Sequence, residues 1–441
     1  MPPLNFTDHA EHIQAIITAA LQTADPHTAV HSHLQKNDHT LTIGQHKFNL
    51  ENGRLFLISV GKAAVPMAQA ALEIVGERSA SGGGIISKHL PENLTVPLPA
   101  YTGNHPVPGK ESVAATTVVL NSLSLAHLNK NDLVLCLISG GASALLTKPH
   151  LSLEIWQHLT QVLLASGCTI QELNTVRRQL DEVKGGGLAR LVAPARIISL
   201  ILSDVVGNEL AAIGSGPTVA VAETAADARA VLDRYGVPDG LETAVSQTIQ
   251  SKLQDLSKTD TPSPGNIIDN IIIGSIQQSA QAAAEKAEML GFHTRLLTAR
   301  LEGEAREVGQ FAAALAKDAP PQSTTLLGGE TTVTLHGDGV GGRNLETALA
   351  AAISLAGWVN RTITSFATDG EDGPSGMAGA TITGHTVQDS QTARAYLNNN
   401  DSYTYFAQLD AVGNGRHLIK TGPTGTNVND LLIILNYEEP K

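Results

Sequence analysis

Aromatic residues make up only 3% of this 441-residue chain, and cysteine occurs twice. Cys136 inside an apolar run and Cys168 near a helix end give neither a disulfide framework nor a metal-ligand spacing, so both read as inert core residues in a reducing compartment. Positive charge is also scarce: 29 Lys and Arg against 42 Asp and Glu leave a net charge of −13. That deficit argues against nucleic acid or an anionic membrane as partner, because either needs a broad basic face. An anionic ligand must then be held by a local basic cluster. No apolar run reaches the ~18 residues of a membrane span. The opening MPPLNFTDHAEHIQ has neither the basic nor the apolar part of a signal peptide, which makes the cytoplasm the expected location.

What the chain has in quantity is small apolar residues and glycine. Apolar types reach 42%, which suits helices packed on a buried parallel sheet, and 41 glycines cluster in loops without a repeat. The length fits two domains of roughly 100–200 residues each, and two domains usually form a cleft. Residues 6–22 read as an amphipathic helix with Ile13, Ile16, Ile17, Ala20 and Leu21 on one face. His9 and His12 lie on it without a further ligand nearby, and they read as a solvated face, as do His27, His31 and His33. From residue 55 the pattern becomes strand, loop, helix: LFLISV, GGGIISK, LVLCLIS and ISLILSDV are each continuous apolar runs ending in polar or glycine-rich loops. Residues 251–266 hold Pro262, Pro264 and Gly265 and read as a linker. The resulting division is a domain over 1–255, a linker over 256–268 and a domain over 269–441. The second part is read as opening on the strand IIDNIIIGS, with strands around the glycine-rich turn of STTLLGGETTVTLHGDGVGGRN, a helix from Asn344, and strands ITSFA and DLLIILN.

The loops carry the candidate chemistry. Lys62 follows a buried strand and Gly61, so its ammonium projects beside a helix start, a place that suits phosphate and equally a solvated lysine. No GxxxxGK[ST] loop occurs. Ser139-Gly140-Gly141-Ala142-Ser143 lies between a strand and a helix, where free amides and hydroxyls can line an anion, or merely make a tight turn. Asn174, Arg177, Arg178 and Lys184 precede three glycines and supply the local basic cluster, with salt bridging to Asp181 and Glu182 as the plainer alternative. Asp204 ends an apolar strand, where a carboxylate must cap a helix, bind a cation or take a proton. Gly337 to Gly342 satisfies GxGxxG, but the stretch before it alternates like a half-exposed strand instead of forming the buried one that a dinucleotide fingerprint requires. Arg343, Asn344 and Glu346 follow at a helix start, with the guanidinium aimed at a phosphoryl group or a carboxylate. Asp369, Glu371 and Asp372 crowd a strand end in a way that suits hydrated Mg²⁺ on a nucleotide better than a dedicated protein cage. Thr424, Thr426 and Asn427 add polar groups before Asp430.

In this order the motifs resemble the glycerate 2-kinase family, whose C-terminal part is the MOFRL domain. The match runs from about residue 55 to 435 and rests on VGKAA, NHPVP, ISGGASALL, NTVRRQLDEVKGGGLA, SDVVGN, GSGPT, GGETTV, GGRNLE, TDGEDG and TGPTGTNVND. The resemblance implies two Rossmann-like three-layer α/β/α domains with mainly parallel sheets. It also implies transfer of the γ-phosphoryl of ATP, with Mg²⁺, to the 2-hydroxyl of D-glycerate in an interdomain cleft. Lys62, Asp204 and Arg343 fall at the family's proposed catalytic positions. Ser139, Gly140, Gly141, Ser143, Asn174, Arg177, Lys184, Asn344 and Glu346 are assigned to substrate or phosphate. Gly329, Glu330, Asp369, Asp372, Thr424, Thr426 and Asn427 are assigned to the nucleotide. Asn208 stands where the family usually has aspartate, and Leu345 where GGRNQE has glutamine. A homodimer is compatible with this reading. Two other classes compete: an NAD(P)H-dependent hydroxypyruvate reductase, resting on GxGxxG, and a non-catalytic organic-acid binding module.

Overall fold

The computed structural model describes residues 4–77, 80–237, 242–258, 263–413 and 416–438. Residues 259–262 of the expected linker lie outside that set. The chain forms two compact units that do not follow chain order. One holds Pro26–Ser203 and Asn208–Ile273; the other holds the described residues up to Asp25, Asp204–Gly207, and the chain from Gly274 onward.

In the first unit, β1 (Leu34–Asn37), β2 (Thr40–Ile43) and β3 (His46–Asn49) form a small antiparallel sheet not anticipated from the sequence. The main sheet contains β4 (Leu55–Val60), β5 (Ala80–Ser87), β6 (Ala100–Thr102), β7 (Leu133–Ile138), β8 (Arg196–Leu202) and β9 (Ile267–Gly274), in the order β6-β5-β4-β7-β8-β9. From β6 to β8 every pairing is parallel, and Leu55 to Val60 lie opposite Leu133 to Ile138 residue by residue. Every residue of β4 and β7 is buried, which is why these strands are apolar throughout instead of alternating. β9 corrects the expected boundary. IIDNIIIGS does not open the second domain; it is the edge strand beside β8. An apolar run states that it will be a strand but not which sheet receives it.

The second unit carries β10 (His293–Leu301), β11 (Ser323–Gly329), β12 (Arg361–Ala367), β13 (Gly379–Thr383), β14 (Leu418–Ile419) and β15 (Asp430–Asn436), in the order β10-β11-β15-β12-β13-β14. The β10–β11 pair is parallel, whereas β15 runs antiparallel to both its neighbours, so this sheet is mixed. The α/β class holds for the chain. Leu432 and Ile434 of β15 face a core shared with the helices Ala305–Asp318 and Arg343–Leu355. Leu431, Ile433 and Leu435 face the other side and meet the helices His9–Ala24 and Ile276–Leu290. Successive residues therefore serve opposite faces, and helices cover both. The helix His9–Ala24, expected within a domain over 1–255, buries Ile13, Ile16, Ile17 and Ala20 against this second unit.

Candidate active site

In the first unit the chain leaves β4 for β5 on one side and β7 lies on the other, so the sheet changes winding direction between β4 and β7. Loops at the carboxyl ends of two such strands diverge and leave an open crevice. The segment after β4 carries Lys62 and the one after β7 carries Ser139-Gly140-Gly141. They are clamped together: the Lys62 N–H donates to the Gly140 carbonyl at 2.8 Å, and the Ala63 N–H donates to Ser139 Oγ at 3.0 Å. A side chain at Gly61 would strike Ser139 Oγ at 2.1 Å, so the close approach requires glycine there. The Lys62 side chain is exposed. Its stem and the His105 ring both lie over Gly141. Burial, and then the charges of Lys62 and Lys88, push the His105 imidazole down to about 4, so it is neutral near pH 7. His105 belongs to the quoted NHPVP string but had no assigned role.

Further along the same loop, Ser143 Oγ lies 2.8 Å from Ser215 Oγ, which donates to Asn174 Oδ1 at 2.9 Å. Arg177 Nη1 approaches Ser143 Oγ at 3.5 Å. Arg177 has no ion-pair partner within 4 Å among the described residues, and burial pulls its pKa down. Arg178, by contrast, is paired with Glu223 and donates to the Ala211 carbonyl at 3.0 Å. Lys184 is buried, and its ammonium donates to the carbonyls of Ser143 and Leu146 at 2.7 and 3.1 Å, which braces the loop from below. Ser139, Gly140, Gly141, Ser143, Asn174, Arg177 and Lys184 thus share one neighbourhood in this unit.

In the second unit Arg343 opens the helix Arg343–Leu355. Its Nε and Nη2 donate to the two oxygens of Asp430 at 2.5 and 2.9 Å, and Nη1 lies 3.3 Å from Glu330. Burial works against the charge, but the Asp430 hydrogen bonds overcome it and hold Arg343 above its ordinary range. Burial likewise raises Asp430, with Arg343 opposing. Asp372 caps the helix: its carboxylate accepts the N–H of Asn344 at 3.0 Å and of Leu345 at 2.8 Å. Asn344 in turn accepts from Ser365 Oγ at 2.6 Å, while buried Glu346 pairs with Arg306 at 3.0 Å and accepts from Asn400 at 2.9 Å. Glu330, Thr331, Gly342, Arg343, Asp372 and Pro374 are among the residues lining a cavity of about 650 Å³. Asp369 accepts the Glu371 N–H at 3.0 Å, and its carbonyl accepts the Thr424 N–H at 3.1 Å. Thr424 Oγ1 donates to Thr368 O and Thr426 Oγ1 to Ala24 O, both at 2.6 Å, whereas Asn427 Oδ1 accepts from Asn429 at 3.1 Å. Gly329 ends β11 against the Leu301 backbone. Half-buried Asp204 follows β8 and groups with this unit.

The expected strand before Arg343 is absent. Residues 333–342 are irregular, and only an isolated bridge joins Thr332 to Glu304. The glycines of the GxGxxG string are needed for packing: a Cβ at Gly337 or Gly339 would meet Asn399 O at 2.5 or 2.6 Å, and one at Gly342 would meet Asp372 at 2.3 Å. Without a strand feeding the loop, the dinucleotide fingerprint has no scaffold here.

Two families match separate stretches of the chain: a domain of unknown function, DUF4147, over residues 12–250, and the MOFRL family over residues 323–430. The D-glycerate 2-kinase of Thermotoga maritima is 40% identical over 88% of this chain and 91% of its own length. The chain belongs to the glycerate 2-kinase family. As a member of the glycerate 2-kinase family it is an enzyme, a phosphotransferase. The glycerate 2-kinase of Pyrococcus horikoshii is 34% identical, covering 95% of this chain and 96% of the relative. A crystal structure of a Thermotoga maritima glycerate kinase superposes with a TM-score of 0.82 at 36% identity, over 97% of this chain and 99% of that one. A relative from Agrobacterium vitis with a provisional hydroxypyruvate reductase name is 35% identical over 96% of this chain and 93% of its own. Among the described residues no helix is long and apolar enough to cross a membrane. Asp430 and His105 are the site residues to which the sequence reading gave no role. Asp430 was visible as an acid opening an apolar strand, whereas the acid singled out, Asp204, follows one.

Proposed function

We propose that this enzyme transfers the γ-phosphoryl group of ATP to the 2-hydroxyl of D-glycerate, giving 2-phosphoglycerate and ADP, and works in the cytoplasm. The observation that carries the reading is the pairing with Asp430 of Arg343, a residue that lines the 650 Å³ cavity. A guanidinium has five N–H donors. Those on Nε, Nη2 and Nη1 that face Asp430 and Glu330 fix its plane, and the remaining ones are available to an anion. In this reading Arg343 and Lys62 stabilise charge on the transferring phosphoryl group and the glycerate carboxylate, and Asp204 orients or deprotonates the attacking hydroxyl. Positioning and electrostatics dominate such chemistry. The buried residues Lys184, Asn174, Asn344 and Glu346 act as positioning residues, because their polar atoms are engaged with neighbouring protein groups. Ser139, Ser143 and Arg177 are the remaining side chains of the first unit assigned to the substrate or its phosphate.

Mg²⁺ would accompany the nucleotide. Asp369 and Glu371 are oxygen donors of the kind a hard cation takes, and they fit a hydrated ion held partly by phosphate. Asp372 is committed to the helix N-terminus and is the least suited of the three. When bound, the ion would neutralise charge on the phosphates.

The deciding experiment supplies ATP, Mg²⁺ and D-glycerate and detects product through enolase, which acts on 2-phosphoglycerate and not on its 3-isomer. A parallel reaction offers hydroxypyruvate and NADH. Product formation in the first and none in the second is expected; NADH oxidation with ATP untouched would overturn the assignment.

A further inference from the structure

The helix Pro26–His33 packs beside the helix Ala64–Val75, and both belong to the first unit. His27 and His31 are four residues apart and so share a helical face, with ring centroids 4.4 Å apart. Glu73, from the second helix, points at both: its Oε2 lies 2.7 Å from His27 Nε2 and 3.2 Å from His31 Nε2. The three candidate donor atoms lie within 4.8 Å of one another. Bonds of about 2.0–2.1 Å in a tetrahedron separate ligand atoms by about 3.4 Å, so small side-chain movements bring all three onto one centre. The side chains are 42–56% exposed, which leaves the fourth position to water.

We infer that His27, His31 and Glu73 form a surface binding site for a divalent transition-metal ion of the Zn²⁺ type. Two imidazoles and one carboxylate suit Zn²⁺ and its neighbours, whereas Mg²⁺ prefers oxygen donors, so this ion is distinct from the one that accompanies a nucleotide. The sequence shows the i, i+4 histidines, but the third ligand lies 42 residues beyond His31, and only the packing of two helices supplies it. Hydrogen bonds from His27 and His31 hold Glu73 below the usual carboxylate range, and a bound ion would replace them. A bound ion would staple the two helices, the second of which starts two residues after Lys62.

The test titrates the full-length, chelator-stripped protein with Co²⁺, read by its visible d–d absorption, and then displaces Co²⁺ with Zn²⁺. One equivalent is expected to bind, with affinity at least about tenfold weaker in His27→Ala, His31→Ala and Glu73→Gln. Zn²⁺ should raise the melting temperature of the wild-type protein and not that of the variants. Since all three positions are exposed, far-UV circular dichroism should show the variants folded. Absence of a saturable Co²⁺ band, or equal affinity in the wild type and folded His31→Ala and Glu73→Gln variants, would overturn the site and place any binding on others of the 16 histidines.

Discussion

Asp430 grips Arg343 at two points, Nε–Oδ2 at 2.5 Å and Nη2–Oδ1 at 2.9 Å, so the guanidinium plane is set by the first residue of β15. Asp430→Asn keeps the shape and removes the charge that holds that plane. Turnover is expected to fall about 10- to 100-fold, on the scale of a misaimed charge-stabilising donor. Stability should drop by about 3 kcal/mol, because a largely buried cation loses its main partner. Steady-state kinetics and urea unfolding read the two effects separately, and wild-type turnover would deny Arg343 its role.

Lys62→Ala and Arg343→Ala should both cut turnover by about 100-fold or more. Their stabilities should differ. Lys62 is exposed, and its removal should move the unfolding free energy by no more than about 0.5 kcal/mol. Arg343→Ala strands a buried Asp430 carboxylate and should be measurably less stable. Unfolding curves that ranked the two variants the other way would contradict the burial argument.

Asp372 makes a pH prediction. Burial, only partly offset by the Asn344 and Leu345 amides, pushes its carboxyl from 3.8 up to about 6, with Asp430 adding to the rise and Arg343 opposing it. Between those values the folded protein holds a proton that the unfolded chain has released. This group's contribution to stability therefore falls as pH rises from about 4 to about 6. In Asp372→Asn that part of the slope should vanish. Melting temperatures of both proteins across pH 4–7 provide the check, and parallel curves would show that Asp372 titrates normally.

Much of the first unit was legible because its strands are buried on both faces: LFLISV and LVLCLI can hardly be anything but central strands, and their end loops bear Lys62 and Ser139. The small sheet of β1 to β3 escaped notice because its strands are only four residues long. Leu41 and Ile43 alternate correctly, but two alternations are too few to read. The placement of β9 and of the helix His9–Ala24 was not legible, since an apolar face records that it is covered and not by what. The stretch from Thr331 to His336 alternates like a strand, yet residues 333–342 stay irregular, with Gly337, Gly339 and Gly341 lying against Asn399, Asn400 and Asp401. Candidate residues were found by type and spacing. The partner of Arg343, Asp430, comes from a distant segment and needed the fold; His27 and His31 were read as a solvated face, because Glu73 lies 42 residues beyond His31.

Lys184 is the last case in which burial decides the outcome. Its ammonium donates to the Ser143 and Leu146 carbonyls, and burial pushes it from 10.5 down to about 8. Lys184→Met keeps the length and the apolar stem but strands both carbonyls, at about 1–3 kcal/mol each. Removing a buried cation relieves part of that cost, so the net loss should fall near the lower end, about 2 kcal/mol. The loop from Ser139 to Leu146 would lose its brace, and KM for D-glycerate should rise more than kcat falls. The pH signature has a definite sign. Between about 8 and 10.5 the unfolded chain binds a proton that the folded protein does not, so this group's contribution makes wild-type stability rise with pH through that window. Lys184→Met should lack that rise. Urea unfolding of both proteins at pH 7.5, 9 and 10 measures it, and equal slopes would mean that the Lys184 ammonium keeps its ordinary basicity despite its burial.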